Sequence, residues 1–263
     1  MIWMTPYKNP HMKRLLCIYL PCALFILPSS AQQFISKAEV EYEVKTNVKK
    51  TMGSNSWAEM LKDAMPQFKT GYYHYIFADN KSVYKFDHWD PVAKVPEFLR
   101  RNDEDNVWFF DFTRSKFNMQ KGVFGTNFNT EDSIETIEWK ITNESRVIAG
   151  FNCRKAIGKI MDSVYVFAFY TDEVTIPGGP CTIHGLPGLI LGATIPRMFI
   201  SFIATKVMVN NIAVNEIKPV TAKKYYTVKT LKSTVNEHTK DWISEDDADS
   251  KKWQEQLFWN ILL

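Results

Sequence analysis

Residues 71–86 read GYYHYIFADNKSVYKF, and this stretch decides the class of the fold. Both of its halves are rich in aromatic and β-branched side chains, which favour strands. Asp79 and Asn80 separate the two halves, and this dipeptide suits a tight turn. The stretch therefore predicts a β-hairpin whose two antiparallel strands follow each other directly in the chain.

Further strands are predicted on both sides of the hairpin. In residues 34–48, valine and tyrosine alternate with glutamate, which is the pattern of a half-buried strand. Residues 164–170 are apolar at both odd and even positions, which face opposite sides of a sheet. We therefore expect the central strands to be covered on both faces. The remaining predicted strands lie within residues 106–112, 133–142, 146–160, 163–170, 198–209 and 225–230.

Two segments have helical spacing instead. In residues 54–68 the apolar side chains recur every three or four positions, Ser56 and Glu59 form a capping-box pattern, and Pro66 should end the helix. The tail, residues 247–263, places on one side Trp253, Leu257, Phe258 and Ile261. We therefore predict a mainly β (α+β) fold, in which a curved antiparallel sheet or half-barrel packs on a few helices.

The first 31 residues are typical of an export signal. Lys13 and Arg14 precede an apolar run over residues 15–27, and small residues then precede the expected cleavage site. The apolar run is shorter than the roughly 20 residues that span a bilayer. We predict a signal peptide over residues 1–31, with Met12 as a possible start, and a location in the periplasm or at the outer membrane.

Acidic and basic side chains balance once this leader is removed. Residues 1–31 hold three of the 32 basic side chains and none of the 29 acidic ones, so the formal net charge falls from +3 to 0. A chain without basic excess is poorly suited to a phosphate backbone, so we expect no nucleic-acid partner. Residues 32–263 have no linker or repeat, which predicts a single domain without a transmembrane segment.

Two cysteines remain after the leader, Cys153 and Cys181. An even number of cysteines in an exported protein favours a disulfide, and we predict one between these two residues. In the chain-entropy model such a bond stabilises the fold by about 3 to 4 kcal/mol. Two buried free thiols are the alternative.

Residues 176–188 hold seven prolines and glycines in thirteen positions, a composition that excludes a helix or a central strand. Leu186-Pro187-Gly188-Leu189 has the chemistry of a type II turn, in which Gly188 would need a positive φ. The aliphatic residues 189–191 should then enter the core as a short strand. The segment is therefore predicted to be a stiff corner of the fold.

These residues also carry a family resemblance. The hexapeptide Gly185-Leu186-Pro187-Gly188-Leu189-Ile190 resembles the signature that names the GLPGLI family, also called the Porphyromonas gingivalis-type family, of secreted Bacteroidota proteins. Similar patterns are found in the flanking segments, which are residues 71–86, 139–156, 169–180 and 202–207. The resemblance implies export to the cell envelope, and it implies no particular reaction.

Few residues outside this corner offer reactive chemistry. Cys181 and His184 are three positions apart and suit a metal site or a reactive thiol and imidazole pair. Asp87, His88 and Asp90 offer two carboxylates and an imidazole to a metal ion, although a polar loop is the simpler interpretation. Asp111 falls on the same alternation as its apolar neighbours, which is compatible with an inward carboxylate, although an edge position or a hydrogen-bonded structural role is the simpler interpretation. No second half of a metal site is evident from spacing.

No catalytic or cofactor motif is present, so the sequence predicts neither an enzyme nor a cofactor. Aromatic residues make up 14% of the chain, and they can line the inside of a curved sheet that holds an apolar ligand or simply fill a core. We predict an envelope binding or accessory module with an unknown protein partner. The alternatives are a carrier of an apolar ligand, such as a lipid or a lipoprotein acyl chain, and a metal-dependent or Cys/His enzyme.

Overall fold

The structure is a computed structural model that describes residues 35–52, 56–123, 125–161, 163–242 and 248–263. The described residues belong to one compact unit. The predicted signal peptide lies outside them. Within the described ranges, no helix combines the length and the apolar character needed to cross a membrane.

Eleven strands of the described chain form one open sheet in which every neighbouring pair is antiparallel. The strand order is β6-β5-β4-β3-β2-β1-β11-β10-β9-β8-β7. The strands are β1 (Ala38–Asn47), β2 (Phe68–Ala78), β3 (Lys81–Trp89), β4 (Val107–Asp111), β5 (Lys116–Val123), β6 (Thr126–Ser133), β7 (Trp139–Ile148), β8 (Phe151–Ile160), β9 (Val164–Thr171), β10 (Leu189–Ile195) and β11 (Ile200–Met208).

The helices pack on this sheet. Helix α3 contacts β3 and β5, α4 contacts β6 and α5, and α5 contacts β5. The α-helices are α1 (Val48–Thr51), α2 (Ser56–Lys62), α3 (Glu97–Glu104), α4 (Val228–Thr239) and α5 (Ala248–Leu262). The predicted fold class is confirmed, because a large antiparallel sheet packs on a few helices.

The sheet curves until its two wings approach each other. The edge strands β6 and β7 are consecutive in the chain and are joined by residues 134–138. Phe117 on β5 and Ile160 on β8 line the same cavity, although seven strands separate β5 from β8 in the sheet. The concave side therefore encloses interior space, which is a precondition for a ligand site.

The first hairpin has the predicted turn. Asp79 and Asn80 have φ angles of 51° and 56°, so both central residues are left-handed, as a two-residue hairpin loop with the twist of the flanking strands requires. Strand β1 follows its predicted alternation: Val40 and Tyr42 are fully buried, whereas Glu41 and Glu43 are half-buried. Tyr42 crosses the interior and its hydroxyl donates a hydrogen bond to the carbonyl of Ile190.

Three predicted strands differ from the structure, and in one of them local polar chemistry overrides β-propensity. Residues 146–160 do not form one strand, because a turn at residues 149–150 separates β7 from β8. Residues 225–230 were expected to form a strand, but Tyr226 makes only a single bridge to Thr130. The Thr227 and Thr230 side chains reciprocally cap the first turn of α4, so a helix begins at Val228. Residues 134–138 form a connection rather than a strand, and β7 begins only at Trp139.

The two predicted helices have different outcomes. The tail helix is present as α5, and it buries Phe258 and Ile261. The helix predicted over residues 54–68 is shorter, because α2 ends at Lys62 and Phe68 already begins β2. Met60 is 64% exposed, so this methionine does not belong to a core face of the helix.

Candidate functional site: a cavity beside the GLPGLI corner

The strand that follows the corner is buried as predicted. Leu189, Ile190 and Leu191 are each 0% exposed, and Leu189 begins β10. The loop before the strand is held by backbone hydrogen bonds, in which Ile190 N–H donates to Gly178 O at 3.1 Å and Gly185 N–H donates to Pro177 O at 2.9 Å. These hydrogen bonds hold the corner in place, so it forms part of the wall of the interior.

The predicted type II turn at Gly188 is wrong. The glycine with positive φ in this hexapeptide is Gly185, at 86°, whereas Gly188 is not among the residues with positive φ. Gly188 is required for a different reason, because a Cβ atom there would lie 2.0 Å from the carbonyl oxygen of Thr171. The absence of a side chain allows the loop to approach the end of β9 closely.

The predicted disulfide is also wrong, because Cys153 and Cys181 are both free and buried. Cys153 lies on β8, where its thiol is 3.6 Å from the carbonyl oxygen of Phe151. Cys181 instead packs beside Tyr84 on β3 and Lys121 on β5, at the other wing of the sheet. The two thiols thus lie in different parts of the interior, which explains why no disulfide forms between them.

Burial disfavours the thiolate at both positions. It raises the pKa of Cys153 to about 11 and that of Cys181 to about 12. We therefore expect iodoacetamide at pH 8 to leave both thiols of the native protein unmodified and to alkylate both after unfolding without a reductant, because the thiolate is the nucleophile. Peptide mass spectrometry reads the two sites separately. If both cysteines of the unfolded protein stay unmodified until a reductant is added, the two residues are joined by the predicted disulfide.

A cavity of about 320 Å³, here called the His184 cavity, lies beside the corner. Its exposed polar rim includes Glu135, Glu138 and Lys159. Its apolar wall combines side chains from the two wings of the sheet, the β6–β7 connection and two helices, namely Phe110, Phe117, Ile134, Ile137, Ile160, Met161, Val228 and Leu262. Pockets that bind small molecules range from about 300 to 1,000 Å³, so this cavity suits a short apolar group.

His184 supplies a polar group to this apolar enclosure. Its ring lies 5.7 Å from the Phe110 ring and 6.2 Å from the Phe112 ring, measured between centroids, and its carbonyl accepts a hydrogen bond from Trp139 Nε1 at 2.9 Å. Burial lowers the pKa of His184 to about 4, so the imidazole is neutral at pH 7. No described side chain hydrogen-bonds to the ring, which is thus available to a ligand as donor and acceptor.

The proposed Cys181 and His184 pair is not brought together in one site. His184 and Thr182 line the His184 cavity, whereas Cys181 lines a second cavity on the other side of the loop. The neutral, protonated thiol of Cys181 is therefore a poor nucleophile and a poor metal ligand.

The other candidate residues make local structural contacts. His88 Nδ1 lies 2.6 Å from Asp87 Oδ2, and its ring stacks on Tyr72 at 4.6 Å between centroids. Asp90 Oδ1 accepts a hydrogen bond from Val92 N–H at 2.9 Å, which closes the loop after β3. Among the described residues, no three His, Cys, Asp or Glu side chains are arranged to hold a metal ion.

Asp111 is a buried carboxylate, at 6% exposure, as its alternation suggested. It accepts a hydrogen bond from Arg114 N–H at 3.1 Å, and the Arg114 guanidinium lies 3.8 Å from its second oxygen. These contacts explain the carboxylate as part of the turn between β4 and β5.

The second cavity, here called the Lys121 chamber, measures about 90 Å³. Strands β1 to β5 and β11 contribute to its wall. Besides Cys181, the chamber is lined by polar and ionisable side chains that the sequence did not single out, namely Lys69, Tyr73, Tyr84, Asp103, Trp108 and Lys121. A lysine in a strand is ordinarily read as part of a solvated face, so Lys121 gave no signal in the sequence.

Comparisons with known proteins add a distant likeness of fold. No family model matches the chain, and no curated protein matches it. A crystal structure of PNGF-II in space group P21 aligns with a TM-score of 0.47 and 15% identity over 75% of this chain and 32% of that one. The C2 crystal form of PNGF-II gives a TM-score of 0.43 and 14% identity over 85% and 33%. The chain spans about one third of the length of these structures, and a likeness this distant assigns no function.

Proposed function

We propose that this protein is a non-catalytic binding protein that holds an apolar ligand, such as a short acyl chain with a polar end, in the His184 cavity. The observation that carries the proposal is an apolar enclosure with a single inward, unprotonated imidazole beside it. Apolar pockets with a few placed polar groups are the usual form of small-molecule sites, in which the polar group fixes the orientation of the ligand.

The polarity of the wall defines the class of ligand. The apolar side chains of Phe117, Ile160 and Leu262 suit hydrocarbon, and burying it would contribute about 0.8 kcal/mol per CH₂ group. The His184 imidazole can accept from or donate to a hydroxyl or carbonyl group. A metal or nucleophile is not needed for this role. Of the two alternatives from the sequence, the carrier of an apolar ligand is thus favoured over the enzyme.

We also propose that the binding takes place in the cell envelope. The predicted export signal over residues 1–31 and the resemblance of residues 185–190 to the GLPGLI signature support this location, which is the periplasm or the outer membrane. A role as an accessory to another envelope protein is compatible with ligand carriage, since a carrier must deliver its ligand to an acceptor. Recovery of a stable protein neighbour by cross-linking in the envelope would support the accessory role.

Filling the cavity tests the binding function. We expect 1-decanol to bind the purified protein in isothermal titration calorimetry, and we expect Ile134→Trp to weaken its affinity by about tenfold or more, because the indole occupies the space of the ligand. Ile134 lies in the connection between β6 and β7 and is half-buried, so the sheet need not change.

The matched control is Val147→Trp, which places the same ring on β7 at a position that is 67% exposed. This variant should bind 1-decanol as the wild type does, and circular dichroism should be unchanged for both variants. Equal affinity of all three proteins for 1-decanol, or no binding by the wild type, would contradict the proposed function.

A further inference from the structure

We infer that the Lys121 chamber is a separate binding site for a small carboxylate of about the size of acetate, held by the Lys121 amine, the Tyr84 hydroxyl and the Trp108 indole N–H. The inference does not depend on the function proposed for the His184 cavity, since the two cavities lie on opposite sides of the loop that carries Cys181 and His184.

Two buried donors in the chamber have no acceptor. Tyr84 is 2% exposed and Trp108 is 1% exposed, and neither the Tyr84 hydroxyl nor Trp108 Nε1 has a hydrogen-bond partner among the described residues. The Tyr84 hydroxyl lies beside the Cys181 sulfur, but not in hydrogen-bonding geometry. Buried donors are almost always paired in native proteins. A carboxylate, which is an acceptor only, would satisfy both.

The charges in the chamber leave one cation unmatched. Lys69 forms an ion pair with Asp103. Lys121 forms no ion pair with a described residue, and its Nζ lies 5.0 Å from the centre of the Trp108 ring. The chamber thus contains two amines and one carboxylate, so an added anion would complete the pairing.

The titratable groups around Lys121 come from several elements. Burial lowers the pKa of the Lys121 amine, whereas nearby Asp103 and Cys181 act in the opposite direction and Lys69 adds to the lowering. The other titratable side chains that line the chamber are the hydroxyls of Tyr73 and Tyr84. Asn260 of α5 and Leu263, which follows α5, contribute non-ionisable side chains. A bound carboxylate would favour the ammonium form, so binding and protonation of Lys121 should be linked.

The size and the walls of the chamber favour a carboxylate with a short apolar tail. A volume of about 90 Å³ corresponds to roughly three water molecules at about 30 Å³ each. Apolar contacts are available from Val44, Met198, Ile200 and Phe202. A methyl group can pack against such side chains, whereas the fourth oxygen of phosphate would be left without a donor.

Calorimetric titration with sodium acetate tests the inference, with sodium phosphate as the second arm. We expect acetate to bind the wild type and Lys121→Met to weaken it by about tenfold or more, since a charge-assisted hydrogen bond is lost. Lys140→Met, which removes an exposed lysine on β7, is the control and should bind as the wild type does. Because Lys121→Met could perturb folding, Tyr84→Phe is the second variant, and it should weaken acetate by about fivefold with an unchanged circular dichroism spectrum.

The pH dependence identifies the group that binds. Because burial lowers the pKa of the Lys121 amine, acetate affinity should fall at a lower pH than the loss of a proton from an ordinary lysine, with a pKa of about 10.4, would produce. Acetate affinity that is the same in the wild type, Lys121→Met and Tyr84→Phe would overturn the inference, as would no acetate binding by the wild type. Phosphate binding without acetate binding would overturn the assignment to a carboxylate.

Discussion

Replacing Gly188 with alanine is expected to lower the free energy of unfolding by about 3 kcal/mol or more, which is the upper part of the range for overpacking. The new methyl group would lie 2.0 Å from the carbonyl oxygen of Thr171 and 2.8 Å from its carbonyl carbon. Both are backbone atoms, so relief requires that the corner or the end of β9 moves. Urea unfolding followed by circular dichroism measures the change.

Gly185→Ala is the matched control in the same hexapeptide. A Cβ atom at Gly185 meets no heavy atom closer than 3.8 Å, so its cost comes only from the positive φ of 86° and should be about 1 kcal/mol. A larger loss for Gly185→Ala than for Gly188→Ala would show that backbone conformation, and not close approach, explains the glycines of this corner.

The second large effect is a loss of stability in acid that depends on His184. The folded state holds the pKa of His184 at about 4 because burial disfavours the imidazolium, whereas an unfolded histidine titrates at about 6.5. Between these values the unfolded state binds a proton that the folded state excludes. The folded protein should therefore lose about 2 to 3 kcal/mol of stability as the pH falls from 6.5 to 4, and only about 0.4 kcal/mol above pH 6.5.

Carboxylates also titrate in the lower part of this window, so the measured quantity is a difference between two proteins. The free energy of unfolding is compared at several pH values for the wild type and for His184→Gln, which keeps a polar side chain but cannot titrate. The wild-type curve should fall more steeply than the variant curve between pH 6.5 and 4. Parallel curves would mean that the imidazole takes up its proton in the folded protein at the same pH as in the unfolded chain.

Most of the sheet could be predicted from the sequence, because its strands carry their own signals. The alternation in β1 and the Asp79-Asn80 turn specify a strand and a hairpin through contacts between near neighbours in the chain. Strands β5 and β6 were not predicted, and one further failure occurred where side-chain hydrogen bonds decide the structure. Residues 225–230 have a strand-like composition, yet the cap formed by Thr227 and Thr230 begins a helix there.

The candidate site could be predicted only in part, for a physical reason. His184 was singled out, but as a partner of Cys181, which lines a different cavity. The wall of the His184 cavity combines Phe110, Ile160 and Leu262, which are brought together by the curvature of the sheet and the docking of α5. No local pattern links residues so far apart in the chain. The same holds for Gly188, where the requirement for glycine comes from the backbone of Thr171.

The most direct test of the proposed function is native mass spectrometry of the protein purified from its own cell envelope, followed by organic extraction of the same sample. The proposal predicts that an apolar compound with a polar end co-purifies in about one copy per chain, and that it is absent from Ile134→Trp but present in Val147→Trp. Protein that has only the mass of its polypeptide, with no organic compound in the extract, would contradict the central claim.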